Sequence, residues 1–139
     1  MCIRDRIRSD LINKNVSWVS ANGLVREKLV DMQRQIASEK SFVIDGRDIG
    51  TVVFPNAKYK FYLTASPRCR AIRRFEQNES DLDIDQIEKA IIDRDNYDSN
   101  REISPLKKAA DAIEIDSSKL DIDQTLNVIL ENIDNDDIV

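Results

Sequence analysis

Between Leu24 and Ala37 the apolar residues Val25, Leu29, Met32 and Ile36 return at helical spacing, with Arg26, Glu27, Lys28, Asp31 and Arg34 between them. This predicts an amphipathic helix. The period then changes: Phe42, Val43 and Ile44 form a short β-type run that stops at Asp45-Gly46, and Tyr59 to Thr64 is a second aromatic and β-branched stretch. Two strands are predicted, with a charged loop after the first. Ser66-Pro67 has the form of a helix start, Ser as cap and Pro in the first turn, and Arg68 to Gln77 continues it. Asp83-Ile84-Asp85-Gln86 and Asp121-Ile122-Asp123-Gln124 each place an acid three residues ahead of Gln, the capping-box spacing, so each predicts a further helix. Between these, Ala112 to Ile115 reads as a third strand ended by the turn Asp116-Ser117-Ser118, and the acidic tail 132–139 is expected to fray. Helices alternating with short buried strands predict an α/β fold, a parallel sheet flanked by helices.

Composition narrows the chemistry. The 139 residues suit one domain and include no His and only three Gly. Without His there is no Ser-His-Asp triad, no Cys-His pair, no imidazole shuttle and no His-ligated zinc. Gly23, Gly46 and Gly50 are not followed by Lys, so no phosphate-binding loop of the form G-x-x-x-x-G-K-[ST] is present. Cys2 and Cys69 lie far apart, which argues against a zinc knuckle or a disulfide scaffold and fits a reducing cytoplasm. No apolar run approaches the roughly 18 residues of a membrane span, and no secretory leader is read at the start. Net charge is −5, but it is unevenly placed: residues 1–74 carry +8 and residues 75–139 carry −13. That asymmetry fits either a polyanion-binding half or two faces that neutralise each other.

Three groups of residues could carry chemistry. Asp45-Gly46-Arg47-Asp48-Ile49-Gly50-Thr51 follows the first predicted strand, where ligands sit in open α/β sheets. Its acids could bind a hydrated metal or accept hydrogen bonds, and Arg47 could clamp a phosphate; the competing reading is a solvated turn. On the helix opened by Asp83, the apolar stripe Ile84, Ile87, Ile91 runs on into Arg94, Asp98 and Arg101. Arg94 and Asp98 can pair at i, i+4, which leaves Arg101 for a phosphate, unless the helix stops near Asn96. Arg68, Arg70, Arg73 and Arg74 place four guanidiniums within seven residues, either around a small polyphosphate or on a solvated face. Nucleic acid is not the expected partner, because stacking aromatics are not interleaved and the acidic half repels a long backbone.

The segments 25–34, 43–55, 70–74, 94–101 and 105–116, in order, resemble the bacterial cytidylate (CMP) kinases, and the resemblance covers about 7–131. It implies part of the nucleoside monophosphate kinase fold and transfer of the ATP γ-phosphoryl group to CMP or dCMP, in pyrimidine nucleotide metabolism, with Mg²⁺ bridging phosphates. By resemblance, Ser17, Arg26 and Asp48 read the cytosine edge, Arg94 and Asp98 bind the ribose hydroxyls, and Arg47 and Arg101 hold the CMP phosphate. Arg70, Arg73 and Arg74 match a lid over the ATP phosphates within a lid-like region 68–101, and Pro105 to Asp111 lies near adenine. Asp45, with Arg47 and Arg101, is placed in the catalytic group, Asp45 near the metal through water. A soluble, cytoplasmic enzyme, monomeric when complete, is implied. The family's first strand and Walker A loop have no match here. The chain is therefore expected to be the C-terminal portion of such an enzyme, with residues 1–6 a spurious start, and to be inactive alone. The alternative is a non-catalytic nucleotide-binding or protein-interaction module.

Overall fold

The computed structural model describes residues 10–38, 41–77 and 82–134, the side chains at 10, 13 and 14 excepted. The expected boundary at residue 6 and the end of the acidic tail lie outside these residues. The elements are α1 (Asp10–Ser20), α2 (Gly23–Ala37), a single wide π-helical turn (Ile49–Val53), β1 (Phe61–Thr64), α3 (Pro67–Glu76), α4 (Ile84–Asn100), β2 (Ile113–Asp116) and α5 (Ile122–Leu130). β1 and β2 pair in parallel, Phe61 opposite Ile113 and Thr64 opposite Asp116, with α3 and α4 in the connection between them. A parallel pair needs such a long crossover. No described helix is long and apolar enough to cross a membrane.

Helix starts follow their caps. Asn22 Oδ1 accepts from the Leu24 and Val25 amides, and Ser66 Oγ from Cys69 N–H, with Pro67 in the first turn of α3. Both capping boxes form: Gln86 N–H donates to Asp83 Oδ1 at 2.8 Å and Gln124 N–H to Asp121 Oδ1 at 2.7 Å, each Gln side chain accepting the cap's amide in return. The tightest packing lies between α3 and α4, where Ala71, Ile87 and Ile91 form a buried cluster with Ile84 against it. Ala71 is small enough to let the two helices approach.

Three expectations change. Residues 42–44 are not a strand, and Val43 is fully exposed. An apolar β-branched run becomes a strand only beside a ladder partner, and among the described residues β1 and β2 pair with each other. α1 was not predicted; Leu11 and Trp18 on it stay exposed, so no buried stripe marks it. The beginning of the acidic tail is fastened rather than frayed, because Asp134 Oδ2 accepts from Lys58 Nζ at 3.1 Å and from the Tyr59 hydroxyl at 2.8 Å.

Two further carboxylates fasten the loops around β2. Lys60 Nζ donates to the Pro55 carbonyl and to Asp111 Oδ2, and this hydrogen bond holds the Asp111 carboxyl below its ordinary value. The Ser118 hydroxyl, then its amide, do the same for Asp116. A carboxyl depressed in the folded state adds stability that is complete above its ordinary value and is lost as pH falls through the lowered one. Acidification below about pH 4 is therefore expected to loosen residues 109–118. Carboxyl ¹³C NMR should give both groups midpoints below 3.8, the ordinary value; a midpoint at or above it would contradict the contacts.

Candidate functional site

The loop that begins at Asp45 delivers two adjacent side chains to two different clusters. Asp48 flanks the π turn and is 3% exposed. Arg26, buried on α2, grips it with a guanidinium fork, Nε to Oδ2 at 3.0 Å and the terminal nitrogen to Oδ1 at 2.7 Å. Such a fork fixes the plane of the carboxylate while leaving each oxygen a further lone pair for a ligand donor.

Arg47, one residue earlier, reaches the far end of α4. Its Nε donates to Asp98 Oδ2 at 3.1 Å. Asp98 is 1% exposed and also faces Arg94 Nε at 3.8 Å and an Arg101 terminal nitrogen at 3.7 Å. α4 runs unbroken to Asn100, so the stripe of charged residues at 94, 98 and 101 lies on one helical face and its final turn. One carboxylate thus serves three guanidiniums, and the surplus charge is positive. Burial first, then Arg47 and Arg74 nearby, push Arg94 below the ordinary guanidinium value, against the pull of Asp98. Two atoms in this cluster are buried without a hydrogen-bond partner, Arg94 Nε and Asp98 Oδ1, and the Ser17 hydroxyl on α1 is a third such atom. Buried polar atoms are ordinarily paired, and sites awaiting a polar ligand are among the places where they are not.

Besides facing Asp98, Arg101 has two local partners that orient it. Its Nε donates to the Ser104 carbonyl at 2.7 Å and a terminal nitrogen to Ser20 Oγ at 3.2 Å. Ser104 has φ of 52°, a left-handed conformation that a non-glycine residue adopts at a cost of about 1–3 kcal/mol. The strained turn aims the carbonyl at Arg101. A shallow recess of about 320 Å³ opens beside it, lined by Ala21, Tyr97, Asn100, Arg101, Glu102 and Ile103.

The arginines of α3 meet the acids of α4. Arg68 bridges Asp85 and Glu88, Arg70 pairs with Asp95, and Arg73 donates to the Ser117 carbonyl at 2.6 Å and the Leu120 carbonyl at 3.0 Å. The basic and acidic halves of the chain thus neutralise each other across these two helices. Arg74 differs in standing close enough to Arg94 to lower its affinity for a proton, which brings it towards the cluster around Asp98. Asp45 is exposed at the mouth of the loop, and no group of three or more metal-ligating side chains gathers among the described residues.

The structure therefore groups Arg26 with Asp48, and Arg47, Arg94 and Arg101 with Asp98, two clusters that meet at the chain neighbours Arg47 and Asp48. The Ser17 hydroxyl is buried without a hydrogen-bond partner, Asp45 is exposed, and Arg70 and Arg73 are engaged elsewhere. Reasoning from sequence missed Ser20, Ser104 and Asp95. Asp95 lies four residues beyond Ile91 and so on the inward face; nothing in the residue type marks Ser104 as left-handed.

The family model for cytidylate kinase matches residues 1–135. A cytidylate kinase of Fusobacterium nucleatum is 44% identical over 135 residues, covering 95% of this chain and 62% of its own length. Those of Alkaliphilus oremlandii, 52% identical over 118 residues, and Streptococcus sanguinis, 51% identical over 114, are covered for 54% and 51% of their length by 83% and 80% of this chain. The chain thus spans between about half and three-fifths of the length of these relatives. With a family model across nearly all of its residues, and relatives sharing about half of the aligned positions, the chain belongs to the cytidylate kinase family.

Proposed function

We propose that this chain forms the acceptor side of a kinase that phosphorylates CMP or dCMP, in pyrimidine nucleotide metabolism in the cytoplasm. The observation that carries the reading is the unpartnered pair Arg94 Nε and Asp98 Oδ1. A sugar hydroxyl, at once donor and acceptor, accepts from the first and donates to the second. The Asp48 carboxylate, held in plane by Arg26, accepts from the exocyclic amine of cytosine, a donor that uracil replaces with an acceptor. Ser17, whose hydroxyl is buried and unpaired, adds a contact to the same base. Arg47 and Arg101 take the phosphate.

ATP is the donor, and Arg70, Arg73 and Arg74 meet its phosphates. Arg70 and Arg73 must exchange Asp95 and the Ser117 and Leu120 carbonyls for phosphate oxygens, so lid closure rearranges ion pairs. Phosphoryl transfer is mostly positioning and charge neutralisation, which arginines and carboxylates supply without His. Mg²⁺ prefers oxygen ligands, keeps several waters and uses one or two carboxylates with substrate phosphates. The single exposed Asp45 fits a contact through water and no more. Held there through water, the ion would supply positive charge to neutralise the phosphates.

Calorimetry of the chain with CMP, UMP and pyrophosphate tests the proposal. Preference for CMP over UMP of about tenfold or more, corresponding to about 1.4 kcal/mol, is expected. Equal, strongly salt-dependent binding of all three would favour a polyanion-docking module instead.

A further inference from the structure

The carboxylate that reads the base in this proposal hangs on an irregular element. The turn Ile49–Val53 is one π-helical turn: Phe54 N–H donates to the Ile49 carbonyl at 2.7 Å, and the Asp48 carbonyl accepts from Val52 N–H at 2.8 Å and, at 3.3 Å, from the amides of Thr51 and Val53. Single π turns are uncommon and concentrate at functional sites. A helical turn also leaves its last carbonyls without partners inside the turn. Here both find the same side chain. Arg34 donates from a terminal nitrogen to the Val52 carbonyl at 2.9 Å and from Nε to the Val53 carbonyl at 3.0 Å.

We infer that Arg34 is a positioning residue for Asp48. Arg26 and Arg34 are both on α2, eight residues and about 12 Å apart along its axis. One grips the side chain of the residue that begins the turn, and the other grips the carbonyls that end it. The turn is thereby fastened at both ends to a regular helix. The planar guanidinium has its donors at fixed angles, so it sets the direction of two consecutive carbonyls at once; a Lys ammonium has no such fork. The Lys60 stem packs against Gly50 within the same turn, where an added Cβ would come within 3.3 Å of it. Without the Arg34 fork the turn can rotate about that contact, and the Asp48 carboxylate, with Arg47 beside it, moves with it.

The experiment compares Arg34→Lys and Arg34→Met with the parent chain by amide hydrogen exchange and by calorimetry with CMP and UMP. Val52 and Phe54 amides are expected to exchange about tenfold faster in both variants, the factor that one or two partly exposed hydrogen bonds supply. Amides of Ile87 and Ile91 in the α3–α4 core should not change, which shows that the fold is intact. The preference for CMP over UMP should fall about threefold or more, an effect that general loss of stability does not produce. Unchanged exchange at Val52 and Phe54 overturns the inference, as does full rescue by Lys, since charge alone would then suffice. A loosened turn with an undiminished preference overturns it too. The nucleotide part rests on the proposed CMP site. If the parent chain shows no preference, that proposal fails, while exchange at the turn still decides whether Arg34 holds Asp48 in place.

Discussion

Asp98→Ala is expected to lower the stability of this chain by about 3 kcal/mol, the lower end of the cost of breaking a buried ion pair. Its carboxylate is nearly inaccessible and is the shared counter-charge of Arg47, Arg94 and Arg101. The lower end applies because the Arg47 side chain is 42% exposed and can turn into solvent, where screening removes most of its penalty. Arg94 and Arg101 cannot leave so easily, and their mutual repulsion remains. For a chain of this length the loss corresponds to a fall in Tm of about 10 °C. A second measurement separates this cause from a simple cavity. Sulfate added to the variant supplies the missing negative charge, so it should raise Tm more for Asp98→Ala than for the parent, by linkage to anion binding. A Tm within about 2 °C of the parent, or equal sulfate effects, would show that Asp98 is not the hub of this cluster.

That hub was legible in part. The register of Ile84, Ile87 and Ile91 projects onto Arg94, Asp98 and Arg101, and α4 keeps that register to Asn100. The capping boxes were legible for a similar reason, since cap and partner are three residues apart and both interactions close within the sequence window. What sequence could not provide were partners from distant segments. The cluster Arg68, Arg70, Arg73 reads equally as a polyanion site or a solvated face; only the packing of α3 on α4 puts Asp85, Glu88 and Asp95 within reach. Residues 42–44 have the composition of a strand, but a ladder is a property of two segments. Arg34 sits in a polar position of an amphipathic helix, indistinguishable by pattern from Lys28, until the π turn brings two carbonyls to it.

Asp48→Asn is expected to have the largest effect on recognition, a loss of about 30-fold in CMP affinity, within the range of 1.5–3 kcal/mol for a hydrogen bond to a charged group. UMP binding should change far less, so the preference for cytosine collapses. The same substitution leaves Arg26, 9% exposed, without its counter-charge and should cost about 3 kcal/mol of stability. These two consequences have different origins and can be separated. Pairing Asp48→Asn with Arg26→Gln replaces the buried ion pair by two neutral side chains of similar size. The double variant should therefore recover about 2 kcal/mol of what the single change lost, as contacting residues show coupling energies of that order. Its preference for CMP should not return, because no anionic acceptor faces the base. Thermal unfolding and calorimetry on the two single variants and the double variant give both readings. Recovery of stability together with recovered CMP preference would place base recognition outside the Arg26–Asp48 pair. Failure of the double variant to regain stability would instead mean that the pair is not energetically coupled, despite its two short bonds at 2.7 and 3.0 Å.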